Sequence, residues 1–338
     1  MEKPREKGKR ASLDEVVPRP APFVVYLDPC GACNFKCSFC PCNRSDVRKA
    51  ERHQMMDWAL FEKILEDLKA FQGQISVVNL HGFGEPLLNP RVADMARALK
   101  ESGCCREVRT TTNGSLLDAS MSKALIASGI DIVQVSVEAL STADYRELCD
   151  VSIEFETILN NVARFYELSR ANGGTPKISA KIVSAAFRGP KDADRFSELF
   201  DPITDYYSIE DVEPVWSEFV EMKMPTGYMK EDSRCCVSER SERGICSLPF
   251  TDMCIHSNGM VGACCSDWKF ATQYGDAGKE SLYDIWNGRR HGEFLCGLLE
   301  RRPIPFCAAC MMKPMDAIEH PEILIDRIRK QWGKGTRL

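Results

Sequence analysis

Between Phe23 and Glu210 the chain alternates between short β-branched apolar runs and longer segments of helical periodicity, and that alternation admits few folds. The runs at 23–27, 75–80, 108–112, 132–137, 178–183 and 206–210 read as strands. Residues 58–71 place Leu60, Phe61, Ile64, Leu65 and Leu68 at helical spacing. Residues 90–100, 118–128, 154–172 and 192–200 read as further helices, the second closed by Gly129 and the third by Gly173-Gly174. Six strands separated by helices predict an α/β fold with a parallel sheet and right-handed crossovers. Ligands of such sheets sit at the carboxyl ends of the strands. The loops that follow the strands are therefore where chemistry is expected.

The loop after the first strand reads Cys33-Asn34-Phe35-Lys36-Cys37-Ser38-Phe39-Cys40, or C-x3-C-x2-C. Three thiolates this close along a loop can wrap one face of a cube-shaped iron–sulfur cluster. A structural zinc site wants four ligands, and an electron-carrying cubane wants four cysteines. Three leave one iron open to bind and activate a small molecule. Cys30 and Cys42 flank the motif and read as non-ligands; a fourth ligand drawn from them is the ferredoxin-like alternative. After the second strand comes Gly82-Phe83-Gly84-Glu85-Pro86, where glycine permits close backbone approach and a carboxylate accepts hydrogen bonds from an ammonium. Thr111-Thr112-Asn113-Gly114 and Val135-Ser136-Val137-Glu138 end the third and fourth strands.

These motifs together resemble the radical S-adenosylmethionine (SAM) superfamily, across most of residues 23–320. The resemblance implies a partial (β/α)6 barrel with a [4Fe–4S] cluster on Cys33, Cys37 and Cys40. It implies that the amino and carboxylate groups of SAM chelate the open iron. One electron then cleaves SAM, and a 5′-deoxyadenosyl radical abstracts hydrogen from a substrate. By the same resemblance Gly84 and Glu85 meet the SAM amino group, Thr111, Asn113 and Ser136 meet its carboxylate and ribose, and the Phe39 backbone meets the adenine. Phe83 stands where the family has its first glycine. Strand-end capping and turn chemistry is the plainer reading of Thr111, Asn113 and Ser136.

From about residue 235 the periodicity fades, and cysteine, glycine and short segments dominate. The chain has 17 cysteines, and their clustering near 30–42, 235–265 and 307–310 points to ligation rather than disulfides in a reducing compartment. Cys246, Gly259, Cys264 and the C-x2-C pair Cys307 and Cys310 resemble the SPASM or twitch extension of radical SAM enzymes. That resemblance implies a second, auxiliary [4Fe–4S] cluster on Cys246, Cys264, Cys307 and Cys310. Cys265 is an alternative to Cys264, and Cys254 is a spare. The full pattern has further cysteines, but Met311 and Met312 follow Cys310 here, so one auxiliary cluster is expected. A four-cysteine zinc site is the competing reading.

The expected domains are a flexible tail at 1–22, the barrel at 23–234, the auxiliary domain at 235–318 and a second tail at 319–338. A net charge of −5 gives no reason to expect nucleic acid. No run approaches the roughly 20 apolar residues of a membrane span, and the amino terminus has no secretory signal, so a cytoplasmic location is expected. The twitch-type architecture implies oxidation or epimerisation of a sugar, aminocyclitol or nucleoside, with flavodoxin or ferredoxin as external reductant. The space ahead of Phe23 holds no peptide-recognition domain, which favours a small molecule over the peptide-modifying alternative. A non-enzymatic electron carrier or zinc module is the rival from another class. Cys149, Cys235 and Cys236 are candidate hydrogen-atom donors, with buried spare cysteine as the plainer reading. Glu138, Lys181, Glu210 and Asp211 lie near strand ends, and His53, His81, His256, His291 and His320 form no metal-binding spacing.

Overall fold

A computed structural model describes residues 13–41, 54–210, 245–310 and 318–332. Cys42, His53, Asp211, Cys235 and Cys236 lie outside the described residues. Six parallel strands form as expected: β1 (Val24–Leu27), β2 (Ile75–Asn79), β3 (Cys105–Thr112), β4 (Ile132–Val137), β5 (Lys177–Val183) and β6 (Tyr206–Glu210). Helices Trp58–Lys69, Val92–Ser102, Ala119–Ala127, Phe155–Ala171 and Asp192–Phe200 connect them. Asp57 and Asp118 cap two of these helices through side-chain acceptance of backbone N–H groups. Strand alternation sends Val133, Val135 and Val137 of β4 into the core, while Gln134 and Ser136 stay half-buried on the other face. In register, Thr111 stands beside Gln134 and Ser136 beside Lys181, so that second face is polar.

The sheet does not stop at β1. Strand β7 (Asp252–Ile255) pairs parallel with its free side, and β8 (Met260–Gly262) and β9 (Gln273–Asp276) continue antiparallel. The nine strands run in the order β6-β5-β4-β3-β2-β1-β7-β8-β9. The carboxyl end of β7 thus reaches the same edge as those of β1 and β2. This segment, read above as lacking periodicity, carries a hairpin signal at Asn258-Gly259, and Gly259 adopts φ 86°.

Both expected tails are corrected in part. Residues Pro321–Trp332 form a helix that buries Leu324 and Ile328, one turn apart, against Leu295 and Leu299 of helix Arg289–Leu299. Val17 joins that cluster, and Ala21 is buried in the main core. The Trp286 indole N–H donates to the Arg19 carbonyl at 2.9 Å. Charge and proline content suggested solvation; the few apolar residues between them supply the packing. Among the described residues no helix is long and apolar enough to cross a membrane.

Candidate active site

Strand β1 delivers the chain into the cysteine loop. Two hydrogen bonds hold that loop to a helix absent from the sequence reading, Thr142–Cys149: Lys36 N–H to the Cys149 carbonyl at 2.8 Å and Ser38 N–H to the Leu148 carbonyl at 2.7 Å. Phe35 meets Tyr145 edge-on, with centroids 6.0 Å apart. Cys33 is exposed, Cys37 is buried and Cys40 lies between. The Cys33 sulfur accepts the Phe35 N–H at 3.4 Å and faces the Asn113 amide at 3.9 Å. Cys37 is hydrogen-bonded to the Cys149 thiol, and that contact together with burial pushes its own thiol up. Cys40 is electrostatically coupled to both Cys33 and Cys37. Phe39 is half-buried against the core.

The Gly84-Glu85 segment lies directly on this loop. A Cβ on Gly84 would stand 2.0 Å from the Cys30 carbonyl oxygen and 2.4 Å from that of Ala32. The Glu85 N–H donates to the Ala32 carbonyl at 2.8 Å. The buried Glu85 carboxyl accepts from the Leu87 N–H at 3.0 Å, the Thr112 hydroxyl at 2.6 Å and the Asn113 N–H at 2.7 Å. It therefore staples the ends of β2 and β3 together. Burial pushes it up to about 7, against the pull of those donors. The Asn113 amide also donates to the Asn34 side chain at 2.8 Å. Thr111 points to Gln134 at 3.4 Å. Thr112, not singled out in the sequence, is the Glu85 partner; strand alternation sends it to the buried face. Burial likewise raises Glu138 to about 7, beside Lys181, which pairs with Glu210 at 3.5 Å.

The second group of thiols assembles beyond β7. Cys246 lies within electrostatic reach of Cys310 and Cys265, Cys307 of Cys246 and Cys310, and Cys264 of Cys265 and Cys246. Burial pushes the Cys246 thiol up to about 11 and Cys307 to about 12. Such thiols ionise when metal displaces their protons. Cys264 accepts the Ser266 N–H at 3.3 Å and Cys246 accepts the Leu248 N–H, repeating the contact that Cys33 makes with Phe35. Asp267 sets the turn by accepting from Ala271, Thr272 N–H and the Thr272 hydroxyl. Among the described residues no three His, Cys, Asp or Glu side chains close tightly enough to clasp a single metal ion; thiols around a cluster stand farther apart. The soft all-sulfur donor sets fit iron–sulfur clusters.

A cavity of about 170 Å³ lies at the carboxyl ends of the neighbouring strands β2, β1 and β7. Tyr26, Asp28, His81, Phe83, His256 and Cys265 line it. Phe83 stacks on His256, with ring centroids 6.0 Å apart. Sequence reasoning passed over Tyr26 and Asp28, although both sit at the end of β1. His291, read as structural, is buried between the Trp286 and Pro249 carbonyls.

Comparison with known proteins follows this division. Residues 28–183 match the radical SAM superfamily, and residues 246–311 match the SPASM iron–sulfur cluster-binding domain. The tungsten-containing aldehyde ferredoxin oxidoreductase cofactor-modifying protein of Pyrococcus furiosus is 34% identical over 119 residues, 35% of this chain and 32% of that protein. A GTP 3′,8-cyclase of Chlorobaculum tepidum is 27% identical over 188 residues, 55% of this chain and 51% of that enzyme. The chain thus spans about a third of the first relative's length and about half of the second's. The fold is shared with BtrN in complex with AdoMet and 2-DOIA (TM-score 0.53, 15% identity, 86% of this chain and 93% of that one). It is shared also with SuiB bound to the precursor peptide SuiA (0.62, 16%, 92% and 74%) and with anSMEcpe with bound AdoMet (0.60, 14%, 93% and 96%).

Proposed function

This chain belongs to the radical SAM superfamily and carries a SPASM domain, and from that premise we propose that it abstracts a hydrogen atom from a small molecule, which is oxidised or epimerised. The substrate class is a sugar, aminocyclitol or nucleoside. SAM, held with a cluster on the Cys33, Cys37 and Cys40 loop, would supply the radical chemistry that removes the substrate hydrogen. Cys33, Cys37 and Cys40 hold that cluster in this reading, and Cys246, Cys264, Cys307 and Cys310 hold the auxiliary one. Gly84 and Asn113 bring backbone and amide to the SAM side of the loop, and Thr111 and Ser136 offer hydroxyls from the polar sheet face. Glu85 serves SAM through the backbone it fixes, since its carboxyl already has three protein partners. The Phe39 backbone faces the adenine. We place the enzyme in the cytoplasm, reduced by a flavodoxin or ferredoxin.

The observation that carries the reading is the three-thiol loop, with no fourth cysteine within it, at the carboxyl end of β1. The test is anaerobic reconstitution, reduction with dithionite and addition of SAM. Wild-type protein is expected to release 5′-deoxyadenosine, and the Cys33/Cys37/Cys40→Ala variant none above the free-cluster background. Equal release from both would sink the proposal.

A further inference from the structure

Two cysteines outside both cluster loops are adjacent in the chain. Cys104 and Cys105 join helix Val92–Ser102 to β3. Gly103 closes the helix with φ 65°, and a Cβ there would meet nothing within 4 Å, so the turn is open on that side. The Cys104 N–H donates to the Ser102 hydroxyl at 3.2 Å, and that hydroxyl donates to the Leu99 carbonyl at 2.8 Å. Successive side chains within a strand point to opposite faces. Cys104 stands just ahead of β3, and the turn brings its sulfur into a hydrogen bond with that of Cys105. Cys104 is buried and Cys105 is half-buried.

Place and pairing set these thiols apart from the others. Strand β3 runs for 8 residues, roughly 25 Å at about 3.3 Å each, before the chain reaches Asn113. Asn113 faces Cys33 at 3.9 Å, so the pair lies at the opposite end of the strand from the Cys33 loop. Burial pushes the unpaired thiols Cys30 and Cys296 up. In the pair, the hydrogen bond from Cys105 outweighs burial and brings Cys104 down to about 7, while the same bond pushes Cys105 up. The Lys69 ammonium adds to the pull on Cys104. One of the two sulfurs is therefore a thiolate near neutral pH, and the thiolate is the nucleophilic form. The proton they share can move along the hydrogen bond from one sulfur to the other.

We infer that Cys104 and Cys105 form a redox-active vicinal dithiol, which reduces a hydroperoxide and closes to a disulfide between adjacent residues. This activity is separate from hydrogen abstraction and does not depend on it. In the first step Cys105, the sulfur that solvent reaches, passes its proton to Cys104 and attacks the peroxide. The O–O bond breaks, Cys105 becomes a sulfenic acid, and the departing hydroxide takes a proton from solvent. The Cys104 sulfur then attacks Cys105, the S–S bond forms, and a second water leaves with the Cys104 proton. The two sulfurs lose two electrons and the two peroxide oxygens gain them. Consecutive Cα atoms stand about 3.8 Å apart, whereas a disulfide usually spans about 4.4–6.8 Å. The bond is therefore strained and easily reduced, so a small thiol restores the pair. Oxidant is thus consumed at a point remote from the Cys33 loop.

The test uses the full-length, reconstituted protein and stoichiometric hydrogen peroxide under anaerobic conditions. The protein is then denatured, alkylated with iodoacetamide, cut with trypsin and mapped by mass spectrometry. Cleavage after Lys100 and Arg106 isolates residues 101–106, which hold Cys104 and Cys105 and no other cysteine. That peptide is expected to be two hydrogens lighter and unalkylated, and to become doubly alkylated when dithiothreitol precedes the iodoacetamide. It is expected to oxidise at least severalfold faster than Cys296, which serves as the internal control. A peptide alkylated at both cysteines after peroxide, one carrying sulfinic acid without the S–S bond, or one oxidised no faster than Cys296 overturns the inference. The Cys33/Cys37/Cys40→Ala variant is expected to form the same bond at the same rate. A bond that forms only while that loop holds iron assigns the oxidation to the metal and likewise overturns it.

Discussion

Glu85 is buried, and its carboxyl joins the loop after β2 to the end of β3. Its ordinary value is 4.5 and burial raises it to about 7. Between those values the folded chain holds a proton that the unfolded chain has released, so stability falls as pH rises through that window. At 1.36 kcal/mol per unit the Glu85 contribution is at most about 3 kcal/mol. Urea unfolding at pH 5 and pH 8 is expected to show a smaller loss for Glu85→Gln than for wild type; equal losses would assign the pH dependence to other groups. Gly84 gives a sharper outcome, because its clash is with backbone. Gly84→Ala must displace the Cys30–Ala32 strand of the loop, and reconstitution is expected to return about four fewer irons per chain, with SAM cleavage lost. At this scale the type of a residue was legible and its partner was not. Carboxylate and glycine after a strand announce a site. That Glu85 faces Thr112 rather than a ligand depends on where β2 and β3 end relative to each other, which only their pairing fixes.

The helix Thr142–Cys149 links local sequence to the cluster loop. Its Ser141 accepts the Asp144 N–H at 3.1 Å, and its last residues present the Leu148 and Cys149 carbonyls to the cysteine loop. Loss of such a cap costs about 1 kcal/mol. Ser141→Ala is therefore expected to fray the helix and loosen the loop it holds. The measurement is the rate of iron release from the reconstituted protein to a chelator, which should rise; an unchanged rate would show that the loop holds without the cap. This helix was legible in principle, since Ser141-x-x-Asp144 is a capping pattern. The barrel elements were legible because period 2 and period 3.6 alternate cleanly there. The elements after residue 245 are short, and β7 is buried at all four positions. Without alternation such a run cannot be told from a loop by periodicity, although Asn258-Gly259 marks the hairpin that follows it.

On the scale of the molecule, one sheet carries both cysteine groups. Strand β1 leads into the Cys33 loop and pairs on its other side with β7; Cys246 precedes β7, and Cys264 follows β8, which runs back antiparallel to it. Helix Trp58–Lys69 clasps the far segment from behind: Asp67 accepts the Leu282 N–H at 3.1 Å, and Lys63 donates to the Glu280 carbonyl at 2.8 Å. No sequence signal reports that β7 lies beside β1, because parallel pairing across more than two hundred residues is decided by the packing of the whole. Yet the two groups draw their thiols from separate loops, so each can be emptied without removing a ligand from the other. Wild-type protein is expected to hold about eight irons after reconstitution, assuming cubane clusters. The Cys33/Cys37/Cys40→Ala variant and the Cys246/Cys264/Cys307/Cys310→Ala variant should each retain about four. A wild-type count of about four that falls to none in the first variant would mean that the carboxy-terminal thiols hold zinc or no metal. Oxidation would then lack its electron acceptor. The iron count thus decides whether the oxidation reading keeps its electron acceptor.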